Sequence, residues 1–263
     1  MKLSIITINY NDINGLESTF KSVFNQTYQE FEYIVVDGGS TDGGKALIEE
    51  HSDKINYWIC EPDNGVYDAM NKGINEATGE YLYFLNSGDT FYNKDVLSNI
   101  SKLITKNAPD IVYGDVNDVD EKTGDSKIRP KKHLDKIALF NKMVCHQALF
   151  CKKTLFVNNL FNTDYKIKGD YNFLLKAFTL YQPMVLQIDL IIANYLMGGL
   201  SDVQYNTYSV KEIPQIRNAH FSQKEQQLLR RYIFNPKIES LPLGHIIKNT
   251  LKYILQIKHP NLS

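Results

Sequence analysis

Short apolar runs that alternate with helix-patterned segments constrain this chain more than any other feature of its sequence. The runs that predict buried strands are Leu3–Ile8, Phe31–Val36, Ile55–Cys60, Glu80–Leu85 and Asp110–Val116. Between them, apolar residues recur at helical spacing, as Leu16, Phe20 and Val23 do after the first run. Strands that alternate with helices predict a parallel sheet covered by helices, so we expect an α/β fold over residues 1–116.

The first four of these strands end in polar or glycine-containing turns. Asn9 and Asp37 follow the first two strands, Glu61 follows the third, and Asp89 closes the turn at 86–89 after the fourth. Ligands of parallel sheets bind beyond the carboxyl ends of the strands. A carboxylate delivered to such a turn by a buried strand is suited to hold a divalent cation beside a diphosphate. Asp89 and Asp37 together therefore predict an enzyme that handles a nucleotide diphosphate.

The pattern changes after residue 116. We expect a hairpin around Thr123-Gly124, strands at Val144–Cys151 and Val185–Ile192, and helices at His133–Phe140 and Asp170–Leu180. On these patterns alone, a histidine beside an apolar run is typical of a structural role, and an aspartate at the start of a helix is typical of an N-cap.

Two short motifs match known patterns only in part. Residues 39–45 satisfy G-x-x-x-x-G-K, but a P-loop needs Ser or Thr after the lysine, and Ala46 stands there. Asp42 would also place a carboxylate inside the phosphate cradle, so we interpret the segment as a glycine-rich turn that lets Asp37 face a ligand. Asp118-Val119-Asp120 is a literal D-x-D, but with no adjacent glycine and no following apolar helix it predicts a solvated acidic loop.

Charge is distributed unevenly along the chain. The net charge of the 263 residues is −1, which gives no overall basic excess for binding nucleic acid. Residues 1–215 carry 21 Lys/Arg against 28 Asp/Glu, whereas residues 216–263 carry 8 against 2. Within this basic tail, apolar residues at helical spacing predict an amphipathic helix at 243–258. Such a helix either lies in a membrane interface or packs on the protein body, and the periodicity is the same in both cases.

The cysteines and the apolar runs indicate where the protein resides. Three cysteines without a C-x-x-C pair predict reduced thiols in a cytosolic protein. The apolar run after Lys2 is too short for a signal peptide, and no run reaches the roughly 18 residues of a membrane span. We therefore expect a cytoplasmic protein, either free or held at the inner face of the membrane by its tail.

Four segments together form a recognisable pattern, at residues 4–11, 33–43, 61–73 and 79–89. In order and spacing they resemble the family 2 glycosyltransferases, inverting enzymes of the GT-A fold, of the bacterial surface-polysaccharide type. Weaker marks, including His146-Gln147, extend the resemblance to about residue 201. The resemblance implies a Rossmann-like, mostly parallel sheet flanked by helices, a mixed acceptor-side half and a helical C-terminal tail.

The resemblance also implies three regions and their roles. Residues 1–116 would bind the nucleotide-sugar donor, residues 117–215 would form the acceptor-side half of the same domain, and residues 216–263 would be the basic helical tail. The donor would be a nucleotide-diphosphate sugar. The acceptor would be a hydroxyl group of a glycan or of a lipid-linked saccharide.

Specific residues acquire roles through this resemblance. In the donor site, Asp37 would accept a hydrogen bond from the base, Tyr10 would pack against the base, and Asn9 lies in the same loop. The remaining members of the donor pocket would be Asp68, Lys72, Ser87 and Gly88, with Lys72 near phosphate.

The reaction itself would depend on a cation and a base. Asp89 would coordinate Mn²⁺ or Mg²⁺ bridging the diphosphate, and Asp170 would be the general base. His146 and Gln147 would lie on the acceptor side.

The chain departs from the family pattern at two positions. Asn86 stands where the D-x-D motif of the family has a carboxylate, so the metal would be held mostly by Asp89 and the diphosphate. Met70 stands where many members carry Arg, which removes one expected phosphate contact. Three alternatives stay open: a catalytically inactive nucleotide-sugar-binding protein, a nucleotidyltransferase, and a P-loop NTPase. The second lacks its glycine-rich, Arg-containing loop at residues 9–15, and the third is disfavoured by Ala46.

Overall fold

One mixed sheet runs through the computed structural model, which describes residues 2–199 and 203–233. The strands are β1 (Leu3–Asn9), β2 (Phe31–Asp37), β3 (Tyr57–Cys60), β4 (Tyr81–Phe84), β5 (Thr90–Phe91), β6 (Ile111–Asp120), β7 (Ser126–Arg129), β8 (Leu149–Lys152) and β9 (Val185–Met197). Their spatial order is β3-β2-β1-β4-β8-β6-β9-β5, and β7 pairs with β6.

Helices flank this sheet. They are α1 (Ile13–Phe24), α2 (Gly44–Glu50), α3 (Val66–Glu76), α4 (Val96–Asn107), α5 (Lys136–Asn141), α6 (Gly169–Leu180), α7 (Val210–His220) and α8 (Gln223–Leu228). Within the described ranges, no helix is long and apolar enough to cross a bilayer. The helix expected at 243–258 lies outside the described residues.

Strands β1 to β4 confirm the predicted parallel half. β2 and β4 both pair with β1 in parallel, and β3 pairs in parallel with β2. All seven residues of β1 are buried, as expected for a central strand covered on both faces. The register places Asn9 opposite Asp37 and Asp37 opposite Cys60, so the strands end at one level.

Alternation of side chains along these strands builds a separate core on each face of the sheet. Ile6 and Ile34 belong to the cluster that contains Tyr171 of α6. Ile5 belongs to the cluster that contains Phe20 of α1. Successive residues of a strand point to opposite faces, so one apolar run supplies both cores.

The second half corrects several expectations. β6 does not pair with β4 as the next parallel strand. Instead, β8 lies between β4 and β6 and is antiparallel to both. The strand predicted at Val144–Cys151 is restricted to β8, and His146–Ala148 instead form a 3₁₀ turn. Helix α5 begins at Lys136, later than predicted, because the Asp135 carboxylate accepts a hydrogen bond from the N–H of Ala138 and caps it.

The acidic D-x-D segment is also placed differently from the prediction. It lies in β6, not in a loop, and it is paired with β7 through the expected hairpin. Asp118 forms an ion pair with Arg129 of β7, which gives this carboxylate a cross-strand partner. The division at 116/117 falls inside β6, and the division at 215/216 falls inside α7.

Candidate active site

The ends of β1, β2 and β3 meet around the Asp37 carboxylate. Asp37 is fully buried and accepts hydrogen bonds from Asn9 Nδ2 (2.6 Å), the N–H groups of Gly39 and Ser40 (3.0 and 2.7 Å), Ser40 Oγ (2.7 Å) and Cys60 Sγ (3.0 Å). Burial alone would raise the pKa of Asp37, but these hydrogen bonds together lower it. The carboxylate therefore holds its own loop in shape, and its partners are protein atoms.

An exposed aromatic ring stands beside this loop. Tyr10 is 67% exposed, and its ring lies 3.1 Å from where a Cβ at Gly38 would stand. The carboxylate of Asp63 approaches the same point to 2.6 Å. Because Gly38 has no side chain, both the Tyr10 ring and the Asp63 carboxylate can approach its backbone closely. A flat exposed ring of this kind is a surface on which a nucleotide base stacks.

The glycine-rich turn at 39–45 does not form a phosphate cradle. The Asp42 carboxylate accepts hydrogen bonds from the N–H groups of Ile13 (2.8 Å) and Gly44 (3.0 Å). Lys45 pairs with Glu49, one turn further along α2, at 3.7 Å. The backbone donors and the lysine that a P-loop would offer to phosphate thus have other partners.

Asp68 and Lys72 lie on α3 and bind the segment that follows β3. Asp68 accepts a hydrogen bond from the N–H of Asn64 (3.0 Å). The ammonium of Lys72 pairs with Glu61 at 2.7 Å, and this hydrogen bond is the main cause that raises the pKa of Lys72. Met70, on the same helix, is 1% exposed and belongs to the core. The lysine predicted near phosphate therefore has a carboxylate partner of its own.

Asp89 is buried at the end of the turn after β4. Its side chain accepts hydrogen bonds from Gln147 Nε2 (2.8 Å) and from the N–H of Leu196 in β9 (3.0 Å). The hydroxyl of Thr19 donates to its backbone carbonyl (2.8 Å). Burial raises the pKa of Asp89 to about 6, since the hydrogen bonds from the Gln147 side chain and the Leu196 backbone do not offset the loss of hydration.

The rest of this turn is anchored to the start of α1. Ser87 Oγ donates to the Asp12 carboxylate at 2.9 Å, and Asp12 is also the N-cap of α1. Gly88 has φ of +89°, a left-handed conformation that favours glycine. The amide oxygen of Asn86 is buried and has no hydrogen-bond partner within the described part of the chain. A buried oxygen without a partner is rare enough to need an explanation, such as an absent ligand or ion.

Asp170 lies in the first turn of α6, at the edge of the same cluster. The N-cap of α6 is Lys168, so the N-cap interpretation of Asp170 is wrong by two positions. Its carboxylate accepts hydrogen bonds from the hydroxyl of Tyr67 (3.2 Å) and the N–H of Tyr171 (2.8 Å), and it contacts His146 Nδ1 at 3.3 Å. Burial would raise the pKa of Asp170, but the hydrogen bond and the charge of His146 outweigh it and lower this pKa.

His146 connects Asp170 to the turn after β4. Its Nε2 lies 3.3 Å from Asn86 Nδ2, while Nδ1 faces Asp170. The Asn86 amide nitrogen and the Asp170 carboxylate therefore contact opposite ring nitrogens of one imidazole. The structure thus brings Asn86, Asp89, Gln147 and Asp170 together around one histidine.

The donor set of this cluster fits a divalent cation in part. No group of three His, Cys, Asp or Glu side chains that could hold a metal occurs among the residues described. However, Asp89 offers a carboxylate, Asn86 offers the unpartnered amide oxygen, and the oxygens of a diphosphate would supply further ligands. Hard oxygen donors of this kind suit Mg²⁺ and Mn²⁺, which keep several non-protein ligands.

Several residues of the cluster were not assigned these positions from the sequence. Tyr67 contacts Asp170 across 103 positions, and no local spacing predicts such a contact. Gln147 was expected on the acceptor side, but it is 3% exposed and holds Asp89. Cys145 binds Gln147 Oε1 at 2.9 Å, so it supports the same carboxylate indirectly.

Comparisons with known proteins identify the family of this chain. Residues 4–162 match the family model described as glycosyl transferase family 2. A PGL/p-HBAD biosynthesis glycosyltransferase of Mycobacterium bovis (strain BCG / Pasteur 1173P2) is 32% identical over 217 residues, which cover 80% of this chain and 83% of the relative. An uncharacterized glycosyltransferase of Mycobacterium tuberculosis (strain ATCC 25618 / H37Rv) is 35% identical over 190 residues, or 70% of this chain and 72% of the relative.

Solved structures share the fold. Staphylococcus aureus TarS 1–349, in complex with UDP-GlcNAc, superposes with a TM-score of 0.69 over 99% of this chain and 82% of that chain, at 17% identity. The mannosyltransferase PcManGT from Pyrobaculum calidifontis, in complex with GDP-Man and Mn²⁺, gives a TM-score of 0.64 over 93% of this chain and 73% of that chain, at 15% identity. The curled α/β sheet with flanking helices is therefore the architecture of GT-A-like glycosyltransferases, as the sequence predicted.

Proposed function

Because the chain belongs to glycosyl transferase family 2, and is therefore a glycosyltransferase, we propose an inverting transfer from a nucleotide-diphosphate sugar to a hydroxyl group of a glycan or lipid-linked acceptor. The observation that carries this proposal is the bridge formed by His146, which joins Asp170 to Asn86 of the turn that holds Asp89. A candidate base and the turn that carries a candidate cation ligand are thereby linked through one histidine.

Asp170 is the general base in this proposal. In the transfer, the acceptor oxygen forms a bond to the anomeric carbon as the bond from that carbon to the diphosphate oxygen breaks. The hydroxyl proton passes to the Asp170 carboxylate. The lowered pKa of Asp170 keeps the carboxylate ionised at neutral pH and able to accept that proton. His146 and Tyr67 orient the carboxylate toward the acceptor.

Asp89 and Asn86 would hold a divalent cation together with the diphosphate. When bound, a cation supplies positive charge that offsets the negative charge developing on the departing nucleotide. Gln147 fixes one carboxylate oxygen of Asp89 by its amide N–H, so Gln147 is a positioning residue. Mn²⁺ in the solved PcManGT complex supports a divalent cation for this fold.

The donor would lie along the ends of β1, β2 and β4. Tyr10 is placed to stack on the base, and Asn9 and Asp37 keep the loop beneath it in shape. Ser87 and Gly88 would approach the diphosphate from the turn that carries Asp89. UDP-GlcNAc bound to TarS and GDP-Man bound to PcManGT support a nucleotide sugar as the donor class.

Asp68 and Lys72 would line the outer side of this donor site. Lys72 is 25% exposed and lies beside Glu61. In this proposal the lysine reaches phosphate only by exchanging Glu61 for the ligand, so its contribution to donor binding is the smallest of the set.

We also propose a place at the cytoplasmic face of a membrane, where a lipid-linked acceptor of surface polysaccharide assembly would be available. The basic segment 216–263 supports this proposal through its charge. Flotation with anionic liposomes should show weaker binding after truncation beyond Pro242, and unchanged binding would remove the membrane role while leaving the transferase intact.

The transferase proposal is tested by Asp170→Asn. We expect a loss of about 10²–10⁴ in kcat for sugar transfer, the range attributed to a positioned base, with donor affinity within about twofold of the wild type. Asp164→Asn is the matched control, since Asp164 is exposed and outside the cluster. If Asp170→Asn transferred sugar at the wild-type rate, Asp170 would not be the general base. A wild-type protein that binds donor but never transfers sugar would indicate the inactive binding protein.

A further inference from the structure

A cavity opens beside the reaction cluster and has no part in the scheme above. Its volume is about 270 Å³, and it lies between β6, the end of β7, α5 and the segment that leads to His146. Apolar side chains form part of its wall, namely Val116, Ile137, Val144 and Ala148. The cavity is on the acceptor-side half of the sheet.

Three cationic side chains also line the cavity: Arg129, Lys132 and Lys142. Lys132 and Lys142 form no ion pair in the described ranges, whereas the adjacent Lys131 pairs with both Asp115 and Asp189. The charge of Lys132 is the main cause that lowers the pKa of Lys142, with burial and Arg129 adding to it. Two ammonium groups thus converge without a carboxylate between them.

The carboxylates nearest to the cavity have other partners. Asp118 pairs with Arg129, which still leaves the guanidinium Nε without a hydrogen-bond partner among the residues described. Asp135 caps α5 through one oxygen and contacts His133 Nε2 at 2.8 Å through the other. Lys132 and Lys142 are thus left without a carboxylate at ion-pair distance among the residues described.

A chain of contacts leads from the cavity to the reaction cluster. Arg129 Nη2 lies 3.7 Å from Cys145 Sγ, Cys145 Sγ lies 2.9 Å from Gln147 Oε1, and Gln147 Nε2 binds Asp89 at 2.8 Å. His146, which holds Asp170, lies between Cys145 and Gln147 in the sequence. Arg129, Cys145 and Gln147 thus link the wall of the cavity to Asp89 of the reaction cluster.

We propose that this cavity binds a phosphate group carried by the acceptor, and the proposal rests on the transferase function above. Lys132 and Lys142 would bind the phosphate oxygens directly, and the guanidinium of Arg129 would add positive charge at the cavity wall. The apolar wall would receive a hydrocarbon portion next to that phosphate. The geometry points to an acceptor whose phosphate docks here while its hydroxyl reaches Asp170.

The test measures binding of phosphate probes by calorimetry, in a buffer with EDTA so that metal-dependent donor binding is absent. The probes are inorganic phosphate, farnesyl phosphate below its micelle concentration, and farnesol. The variant is Lys132→Gln/Lys142→Gln, and both lysines are exposed. The matched control is Lys102→Gln/Lys106→Gln, which removes two exposed lysines from α4.

We expect wild type and control to bind farnesyl phosphate equally, and the Lys132/Lys142 variant to bind it at least tenfold more weakly. Farnesol should bind more weakly than farnesyl phosphate. If inorganic phosphate also binds more weakly to the Lys132/Lys142 variant, the site recognises the phosphate group itself. If farnesyl phosphate binds more tightly than inorganic phosphate, the ligand is a lipid phosphate. Equal binding by the variant and the wild type, or no binding by the wild type, would overturn the proposal.

A second measurement separates this inference from the proposed function. Binding of a panel of nucleotide-diphosphate sugars with Mn²⁺ should be the same in the wild type and the Lys132/Lys142 variant. If the wild type binds donor and transfers sugar but ignores the phosphate probes, only the cavity proposal fails. If no donor binds, the transferase proposal fails, whatever the phosphate probes show.

Discussion

Two buried aspartates lie at the same edge of the sheet, Asp37 at the end of β2 and Asp89 in the turn after β4. They differ in the number of hydrogen bonds that their carboxylates accept. Asp37 accepts five hydrogen bonds from residues at the ends of β1 to β3, and its pKa is lowered. The Asp89 side chain accepts two, and burial raises its pKa to about 6. A carboxylate with five donors is committed to its loop, whereas one with two donors keeps lone pairs for a ligand. The comparison separates the residue that shapes the donor loop from the residue that would act on the donor.

The largest effect should come from removing the Asp89 carboxylate. We expect Asp89→Ala to weaken Mn²⁺-dependent binding of the nucleotide-diphosphate sugar by about 100-fold or more, because loss of a supporting residue alone costs 10- to 100-fold. Calorimetry with and without Mn²⁺ measures this difference. Asp164→Ala serves as a control, since Asp164 is exposed and lies outside the cluster. If donor binding keeps its Mn²⁺ dependence in Asp89→Ala, then Asp89 is not a cation ligand and does not differ from Asp37 in this respect.

The next largest effect should be on the free energy of unfolding, when Asp37 is replaced. Asp37→Asn is expected to lower the free energy of unfolding by about 2–4 kcal/mol, because it leaves buried donors facing an amide group. Asp89→Asn should change it by less than about 1 kcal/mol at pH 4, where Asp89 is largely protonated. Urea unfolding of the two variants checks both values. A larger loss for Asp89→Asn than for Asp37→Asn at that pH would reverse the assignment.

The smallest effect should be a difference in pH dependence. The folded pKa of Asp89 is raised, so its contribution to stability is present below the ordinary value near 4 and is lost as the pH rises through about 6. The folded pKa of Asp37 is lowered, so its contribution is present above the ordinary value and is lost as the pH falls. Asp89→Asn should therefore gain on the order of 2 kcal/mol relative to wild type between pH 4 and 7.

Unfolding curves of wild type and variant across that pH range give the measurement. The deficit of Asp37→Asn should not shrink over the same interval, because the contribution of a carboxylate with a lowered folded pKa is retained above its ordinary value. A stability difference between Asp89→Asn and wild type that does not vary with pH would mean that Asp89 titrates at its ordinary value.

Much of the donor half follows from local sequence patterns. Continuous apolar runs such as β1 fix buried parallel strands, and their parallel register then brings Asn9, Asp37 and Cys60 to one level. That proximity needs no information beyond the strand pattern and the alternation with helices. The same reasoning placed Asp89 at the correct edge of the sheet.

The other half was harder to predict for a physical reason. The order of β8 and β6 depends on pairings between distant segments, so the apolar run of β8 gave its existence but not its antiparallel place next to β4. The residues that hold the reaction cluster, Tyr67 on Asp170 and Gln147 on Asp89, are 103 and 58 positions from their partners. The periodicity of a sequence predicts which residues of one helix or strand share a face, but it does not predict contacts between distant segments.

The role of Asp89 as a cation ligand can be observed in a crystal structure with Mn²⁺ and a nucleotide-diphosphate sugar. We expect an anomalous manganese peak about 2.0–2.3 Å from an oxygen of Asp89, in contact with the diphosphate, and Asn86 Oδ1 turned toward it. A bound diphosphate with Asp89 still held only by Gln147 and Leu196, and with no metal beside it, would show that Asp89 is not a cation ligand.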